Sequence, residues 1–128
     1  MFLQGEWVSG NQCAEVVNPY NGASIDTVPV GSAKDIESAL DGLEQGAKVM
    51  RDMPTHQRVD ILRKAAQIIQ GQQEKLGRLI STEEGKVLTE GLIEAGRAAE
   101  TFDLSADEAR NLRGETVPLD STLGGVGK

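Results

Sequence analysis

Side chains able to do covalent chemistry are few in this sequence and lie far apart along it. Cys13 is the single cysteine and His56 the single histidine among 128 residues. A reactive thiol needs a neighbouring base or positive charge to form its thiolate. The residues beside Cys13 supply neither; they are Gln12, Ala14 and Glu15. The sequence therefore favours an unreactive loop cysteine, and a solvated histidine in the first turn of a helix.

The carboxylates that are candidates for paired acids are scattered rather than clustered. Acid–base work requires a concave, partly dry site that shifts carboxyl pKa values. No sequence pattern gathers these residues, so solvated helix faces are the favoured interpretation. No His or Cys cluster has the spacing of a zinc site either. The acids in question are Glu83, Glu84, Glu94, Asp103 and Asp107.

The glycine-rich end, Gly124 to Lys128, partly matches a phosphate-binding loop. That motif needs its first glycine where Thr122 stands, and a Ser or Thr after the lysine. It also needs a following helix whose N-terminus points at the phosphate. Because these features are missing, residues 121–128 are predicted to form a flexible tail.

Charge and composition exclude several classes of partner. The formal net charge is −7, and the 13 Lys and Arg residues are dispersed among 20 Asp and Glu residues. Nucleic acids and anionic membranes both need clustered positive charge. The sequence has no secretory signal and no apolar run near the roughly 20 residues of a membrane span. A single cysteine allows no internal disulfide, so we expect a cytoplasmic protein without nucleic-acid or membrane partners.

The first thirty residues predict two β-hairpins. Phe2-Leu3 and Trp7-Val8 flank the first turn, and the runs 15–18 and 24–28 flank the second. Asn21-Gly22 supplies the residues that a tight turn demands. Pro29 should end the last strand or place it at a sheet edge.

At Ser32 the apolar period changes from two to 3.6, which predicts helices. Ser32 and Asp35 have the spacing of a capping box, and Pro54 should end the first helix. Its apolar residues recur at steps of four, three, four and three. We call them the first-helix stripe: Ile36, Leu40, Leu43, Ala47 and Met50.

Two or three further helices follow. One begins near Thr55, with a weak point or join at Gly71 and a C-cap at Gly85; the last runs from about Thr89 to Leu112. A few strands cannot bury the apolar faces of so many helices. Either further polypeptide or a partner covers them, or the helices form a compact bundle with a small sheet. Their stripes are Val59, Leu62, Ala66 and Ile69, then Leu92, Ala95, Ala99, Phe102, Ala106 and Ala109.

In order and spacing, several segments resemble the N-terminal part of the aldehyde dehydrogenase superfamily. The resemblance implies an α/β fold, or α+β as an isolated piece, with residues 1–120 forming part of a Rossmann-like NAD(P)-binding domain. Hairpins would occupy residues 1–30 and helices residues 32–113. The segments are Phe2–Val8, Val17–Pro19 with Asn21-Gly22, Val28–Ile36, Arg58–Ala66, Glu84–Lys86 and Ala106–Asp120.

The resemblance also implies a reaction. Family members oxidise an aldehyde to a carboxylic acid with NAD or NADP through a cysteine thiohemiacetal, and a glutamate activates the water that releases the acid. An asparagine and a backbone N–H hold the oxyanion. These groups follow the matched segments, and Cys13 does not correspond to the nucleophile. We therefore expect no catalytic or cofactor-binding residue here, and a chain that is inactive and binds no nucleotide alone.

Partners and a cation follow from the same resemblance. The expected partner is the remainder of an aldehyde dehydrogenase polypeptide, which would be a homo-oligomer when complete. Some relatives hold a structural monovalent cation on backbone carbonyls, at positions near Val16, Val17 and Glu83; Val17 and Glu83 are the predicted ligands. The alternative hypothesis is a non-enzymatic, acidic helical interaction module whose apolar faces bind a partner.

Overall fold

Two small antiparallel sheets precede four helices in the computed structural model, which describes residues 1–127. This mixture confirms the predicted fold class. Predicted boundaries differ from the observed ones by up to three residues. The strands are β1 (Phe2–Leu3), β2 (Glu6–Trp7), β3 (Gln12–Val17) and β4 (Ser24–Val30). The helices are α1 (Ala33–Asp52), α2 (Thr55–Gly71), α3 (Gln73–Glu84) and α4 (Leu88–Asn111), followed by 3₁₀ turns at Leu119–Ser121 and Leu123–Gly125.

Both hairpins are confirmed, and residues with positive φ make their turns. Gln4 and Gly5 reverse the chain between β1 and β2 with φ of 51° and 89°. Gly22, with φ of 69°, serves the β3–β4 connection. Strand β3 begins at Gln12 rather than at the predicted Glu15, because a sheet exposed on both faces accepts polar residues.

Helix α1 begins with the predicted capping box. The backbone N–H of Asp35 donates to Ser32 Oγ at 3.2 Å, and the N–H of Ser32 donates to Asp35 Oδ2 at 2.8 Å. The hydrogen bond from the Ser32 backbone, followed by that from its hydroxyl, lowers the pKa of Asp35. The helix ends at Asp52, two residues before Pro54, as predicted from the geometry that proline imposes.

The buried core lies between α2 and α4 and is built almost wholly of small side chains. Val59 and Ala66 of α2 are nearly inaccessible, as are three alanines of α4. Alanine lets two helix axes approach closely. The predicted stripes of these helices are confirmed as a packed interface except at Phe102, which is 37% exposed. The three alanines are Ala95, Ala99 and Ala106.

Helices α3 and α4 meet backbone to backbone. A methyl group on Gly77 would lie 2.8 Å from the Cα of Leu92, and a methyl on Gly91 would overlap the carbonyl oxygen of Gly77. Real Cβ atoms do not approach other atoms this closely. Both positions therefore require glycine for a steric reason, although glycine weakens a helix by roughly 1 kcal/mol relative to alanine.

Helix α1 stands apart from this three-helix core. Its tertiary neighbour is β1, and every large side chain of the first-helix stripe is exposed. The chain as a whole exposes 10188 Å², whereas a compact monomer of this mass exposes about 6,600 Å². The compact bundle alternative is therefore wrong, because the strands and helices of residues 1–127 do not cover one another's apolar faces.

Replacing Gly91 by alanine tests the α3–α4 contact. We expect Gly91→Ala to lower the free energy of unfolding by about 1–3 kcal/mol, because the methyl group must push the two backbones apart. Urea unfolding followed by far-ultraviolet circular dichroism measures the change. The matched control is Gly71→Ala at the end of α2, where no described atom lies within 4 Å of the added methyl. It should be neutral or stabilising by up to about 1 kcal/mol, and equal loss in both variants would contradict the contact.

Candidate functional site

Cys13, the candidate nucleophile, and His56, the candidate base, lie on different elements, and both side chains are exposed. Cys13 is in β3 opposite Pro29, so the predicted loop position is wrong: this cysteine belongs to a strand. His56 is exposed in the first turn of α2, as predicted. No hydrogen bond or ion pair joins either side chain to another group within residues 1–127. The structure thus gives Cys13 no activating neighbour.

Three of the five scattered carboxylates, Glu84, Glu94 and Asp107, are engaged in surface ion pairs. Lys86 Nζ lies 2.7 Å from Glu84 Oε2 and also contacts Glu94, which ties the end of α3 to α4. These hydrogen bonds, that of Glu84 first, raise the pKa of Lys86. Sequence reasoning missed this cluster because its members are ordinary surface residues whose approach depends on helix packing.

A second ion pair bridges α2 and α4. Arg63 Nη2 lies 2.9 Å from Asp107 Oδ1, across 44 residues of sequence. Such a distant pair leaves no local signal. Across residues 1–127 no three His, Cys, Asp or Glu side chains are arranged to hold a metal ion. In the same part of the chain, every helix is too short or too polar to cross a lipid bilayer.

The described residues do not fit a bound dinucleotide. Such a site uses parallel strands and a glycine-rich turn that leads from a strand into a helix. Residues 1–127 pair their strands only antiparallel. The glycine-rich end forms a single 3₁₀ turn at Leu123–Gly125 instead of a loop between a strand and a helix, and Lys128 lies outside the described residues.

One contact, between Pro19 and Gly85, joins the two segments that carry the predicted cation ligands. Gly85 ends α3 in the left-handed conformation, with φ of 72°, and its N–H donates to the Ser81 carbonyl at 3.0 Å. A methyl group on Gly85 would lie 3.1 Å from Cγ of Pro19. The chain after β3 therefore packs against the C-terminus of α3, which brings the vicinity of Val17 towards that of Glu83.

The C-terminal end of α3 carries the partial negative charge of the helix dipole at this junction. Glu83 lies in the last turn of α3, where carbonyl groups lack intrahelical donors and the helix dipole is negative. The β3–β4 register shifts between Val16 and Val17, so the regular ladder of hydrogen bonds is interrupted beside Val17, the other predicted ligand. Carbonyl oxygens are ligands that hard metal cations prefer.

Comparison with known proteins identifies the family. The model of the aldehyde dehydrogenase family matches residues 7–126. A lactaldehyde dehydrogenase of Methanococcus aeolicus is 35% identical over 123 residues, which are 96% of this chain and 26% of that protein.

Solved structures agree along nearly the whole chain. The NADP-dependent glyceraldehyde-3-phosphate dehydrogenase of Bacillus halodurans, complexed with NADP, superposes with a TM-score of 0.92 at 30% identity. Aldehyde dehydrogenase 21 of Physcomitrella patens, in complex with succinate, gives the same TM-score at 28% identity. Each match covers 99% of this chain and 27% of the other. This chain belongs to the aldehyde dehydrogenase family, and it spans about a quarter of the length of these relatives.

Replacing Gly85 by alanine tests the junction between Pro19 and α3. Both Gly85 and Gly22 have positive φ, but only Gly85 has another group against it. We expect Gly22→Ala to cost about 1 kcal/mol from its backbone conformation alone. Gly85→Ala should cost about 2 kcal/mol or more, because the methyl group also presses on Pro19. Urea unfolding compares the two variants, and equal costs would show that Pro19 does not pack there.

Proposed function

We propose that this chain is the N-terminal segment of an NAD(P)-dependent aldehyde dehydrogenase, an enzyme that oxidises an aldehyde to a carboxylic acid. This proposal rests on one observation: 99% of the chain superposes on an NADP-complexed member of the family with a TM-score of 0.92. At this coverage the match includes both hairpins and all four helices. It is therefore more specific than a shared helix pair or a shared hairpin.

Within such an enzyme the segment has an architectural role. It supplies outer hairpins and helices of the cofactor domain, while the nucleophile, the water-activating glutamate and the nucleotide contacts come from the remaining polypeptide. The accessible surface of this chain supports that division, because about a third of it is surplus to what a compact monomer of the same mass exposes. The complete enzyme would be a cytoplasmic homo-oligomer that uses NAD or NADP.

The isolated chain should show no turnover. We expect no reduction of NAD or NADP above background with aliphatic, aromatic and semialdehyde substrates, because no described thiol is activated and no dinucleotide site is formed. Absorbance of the reduced cofactor measures the reaction. The Cys13→Ala variant is the control, and activity that this substitution abolishes would overturn the proposed inertness.

The mass of the native protein provides an independent test of the same proposal. An antibody against this chain should detect, in the source cells, a polypeptide roughly four times the 13.7 kDa of these 128 residues. A native product of 13.7 kDa alone would instead favour the non-enzymatic interaction module.

We also propose that backbone carbonyls of Val17 and Glu83 help to hold a structural monovalent cation. Three observations support this: the contact of Gly85 with Pro19, the carbonyl end of α3, and the interrupted ladder at Val16 and Val17. A cation there would join the second hairpin to the helical core, two units that otherwise share few side-chain bonds.

Cation binding should appear as added thermal stability. Exchanging 100 mM choline chloride for sodium or potassium chloride keeps ionic strength constant, so general screening cancels. A site with a Kd of about 10 mM would then contribute about 1.4 kcal/mol, and the melting temperature should rise. Differential scanning calorimetry measures the shift. Equal melting temperatures in all three salts would contradict the site.

A further inference from the structure

The turn between β3 and β4 holds an asparagine followed directly by a glycine, and such a pair can react with itself. In Asn21-Gly22 the side-chain amide carbon of the first residue and the backbone nitrogen of the second can join to close a succinimide ring. Glycine has no Cβ to shield that nitrogen. Apart from its chain neighbours, no described atom lies within 4 Å of a methyl group placed on Gly22, so the ring has room to form.

The other three asparagines of the chain lack this combination. Gln12 and Leu112 carry side chains beside the nitrogen that would have to attack, and a proline nitrogen has no proton to lose. Asn21 is therefore the asparagine at which ring closure meets the least hindrance. The three other pairs are Asn11-Gln12, Asn18-Pro19 and Asn111-Leu112.

Hydrogen bonds within the turn act on both reacting groups. The N–H of Ala23 donates to Asn21 Oδ1 at 3.0 Å, which folds the side chain over Gly22 and draws electron density from the amide carbon. The N–H of Gly22 donates to the carbonyl of Asn18 at 2.8 Å, which withholds the nitrogen from attack. The first bond orients the electrophile and the second restrains the nucleophile, so the reaction has to wait for the second bond to open.

The turn is closed by its own residues. The N–H of Asn18 donates to the carbonyl of Ala23 at 2.8 Å, and Asn18 Oδ1 accepts from the N–H of Tyr20 at 2.9 Å. All four bonds join residues 18–23 to one another, so no group of the remaining polypeptide is needed to form them. Hydrogen bonds at a hairpin tip open locally at a free energy well below that of global unfolding. The Gly22 nitrogen is therefore released at intervals in the folded chain.

We propose that Asn21 is a site of spontaneous deamidation whose rate is set by the hydrogen bonds of this turn. The Gly22 nitrogen loses its proton to solvent base and bonds to Cγ of Asn21. The bond from Cγ to the amide nitrogen breaks, and that nitrogen leaves as ammonia. Water then opens the succinimide: attack at Cγ gives aspartate, and attack at the backbone carbonyl carbon gives isoaspartate, in which the chain runs through the side chain. The sum is one water consumed and one ammonia released, without any change of oxidation state.

Either product alters the place where the second hairpin meets the helical core. Both add a carboxylate that is ionised at neutral pH. Isoaspartate also lengthens the main chain between Asn18 and Ala23, whose mutual hydrogen bond closes the turn. Pro19 lies inside the turn and packs against Gly85, so a lengthened turn should displace it and loosen that contact. The reaction uses residues 18–23 alone and does not depend on the enzymatic function proposed above.

Ageing of the 128-residue chain in mildly alkaline buffer tests the site. Residues 1–34 form one tryptic peptide, because Lys34 is the first lysine or arginine, and this peptide holds Asn11, Asn18 and Asn21. Deamidation raises its mass by about 1 Da, since a hydroxyl replaces an amino group, and fragment ions locate the change. We expect the change at Asn21, with Asn11 and Asn18 unmodified over the same time. Equal modification of Asn11, or none at Asn21, would overturn the proposal.

Unfolding separates the effect of the turn from that of the sequence. Guanidinium chloride removes all four hydrogen bonds, so Asn21 should deamidate about tenfold faster than in the folded chain, the factor that an opening cost of about 1.4 kcal/mol gives. The same mass spectrometry measures both rates. Equal rates in buffer and in denaturant would show that the turn does not control the reaction and would contradict the proposal.

Asn18→Ala tests the turn without denaturant. It removes the acceptor of the Tyr20 N–H and should raise the rate at Asn21 in the folded chain about fivefold, because one such bond contributes about 1 kcal/mol. The rate in guanidinium chloride should not change. Asn11→Ala, before the turn, is the matched control and should leave both rates at the wild-type values. Circular dichroism checks that both variants are folded. An unchanged folded rate in Asn18→Ala, or an equal rise in Asn11→Ala, would refute control by the turn.

Discussion

Close approach between helix backbones is the constraint on which this fold depends. Gly77 and Gly91 let α3 and α4 touch, and Ala95, Ala99 and Ala106 do the same for the α2–α4 contact. Small side chains bury little apolar area individually, so the stability of the core comes from contact between the helices themselves. A core of this kind tolerates little change in volume, because no side chain can move aside to accept an added methyl group.

The same constraint explains why many large apolar side chains of this chain stay exposed. The three-helix core uses its small residues on the faces that meet, and the larger apolar side chains lie elsewhere. Trp7, Leu43 and Leu104, for example, are all well exposed. A polypeptide with this distribution is suited to be one layer of a larger body, in keeping with relatives four times as long.

The architectural role proposed above agrees with the surroundings of the described side chains. Among the described residues five carboxylates lie in surface ion pairs, that of Glu84 with Lys86 being one, and the one thiol lies on an exposed strand. At the junction of Pro19 with Gly85 the chain after β3 lies against the end of α3. The structural cation proposed there needs only carbonyl oxygens, so it requires no catalytic side chain.

Local patterns in the sequence determined the elements of this protein. The capping box at Ser32, the join at Gly71 and the left-handed cap at Gly85 were all predictable, because each depends on neighbouring residues alone. The order of the segments also identified the family. Only the tertiary structure decided which apolar faces are buried and which partners meet across the chain, as Arg63 meets Asp107. Periodicity marks an apolar face without saying what covers it, so α1 and α4 have similar stripes although only that of α4 is packed.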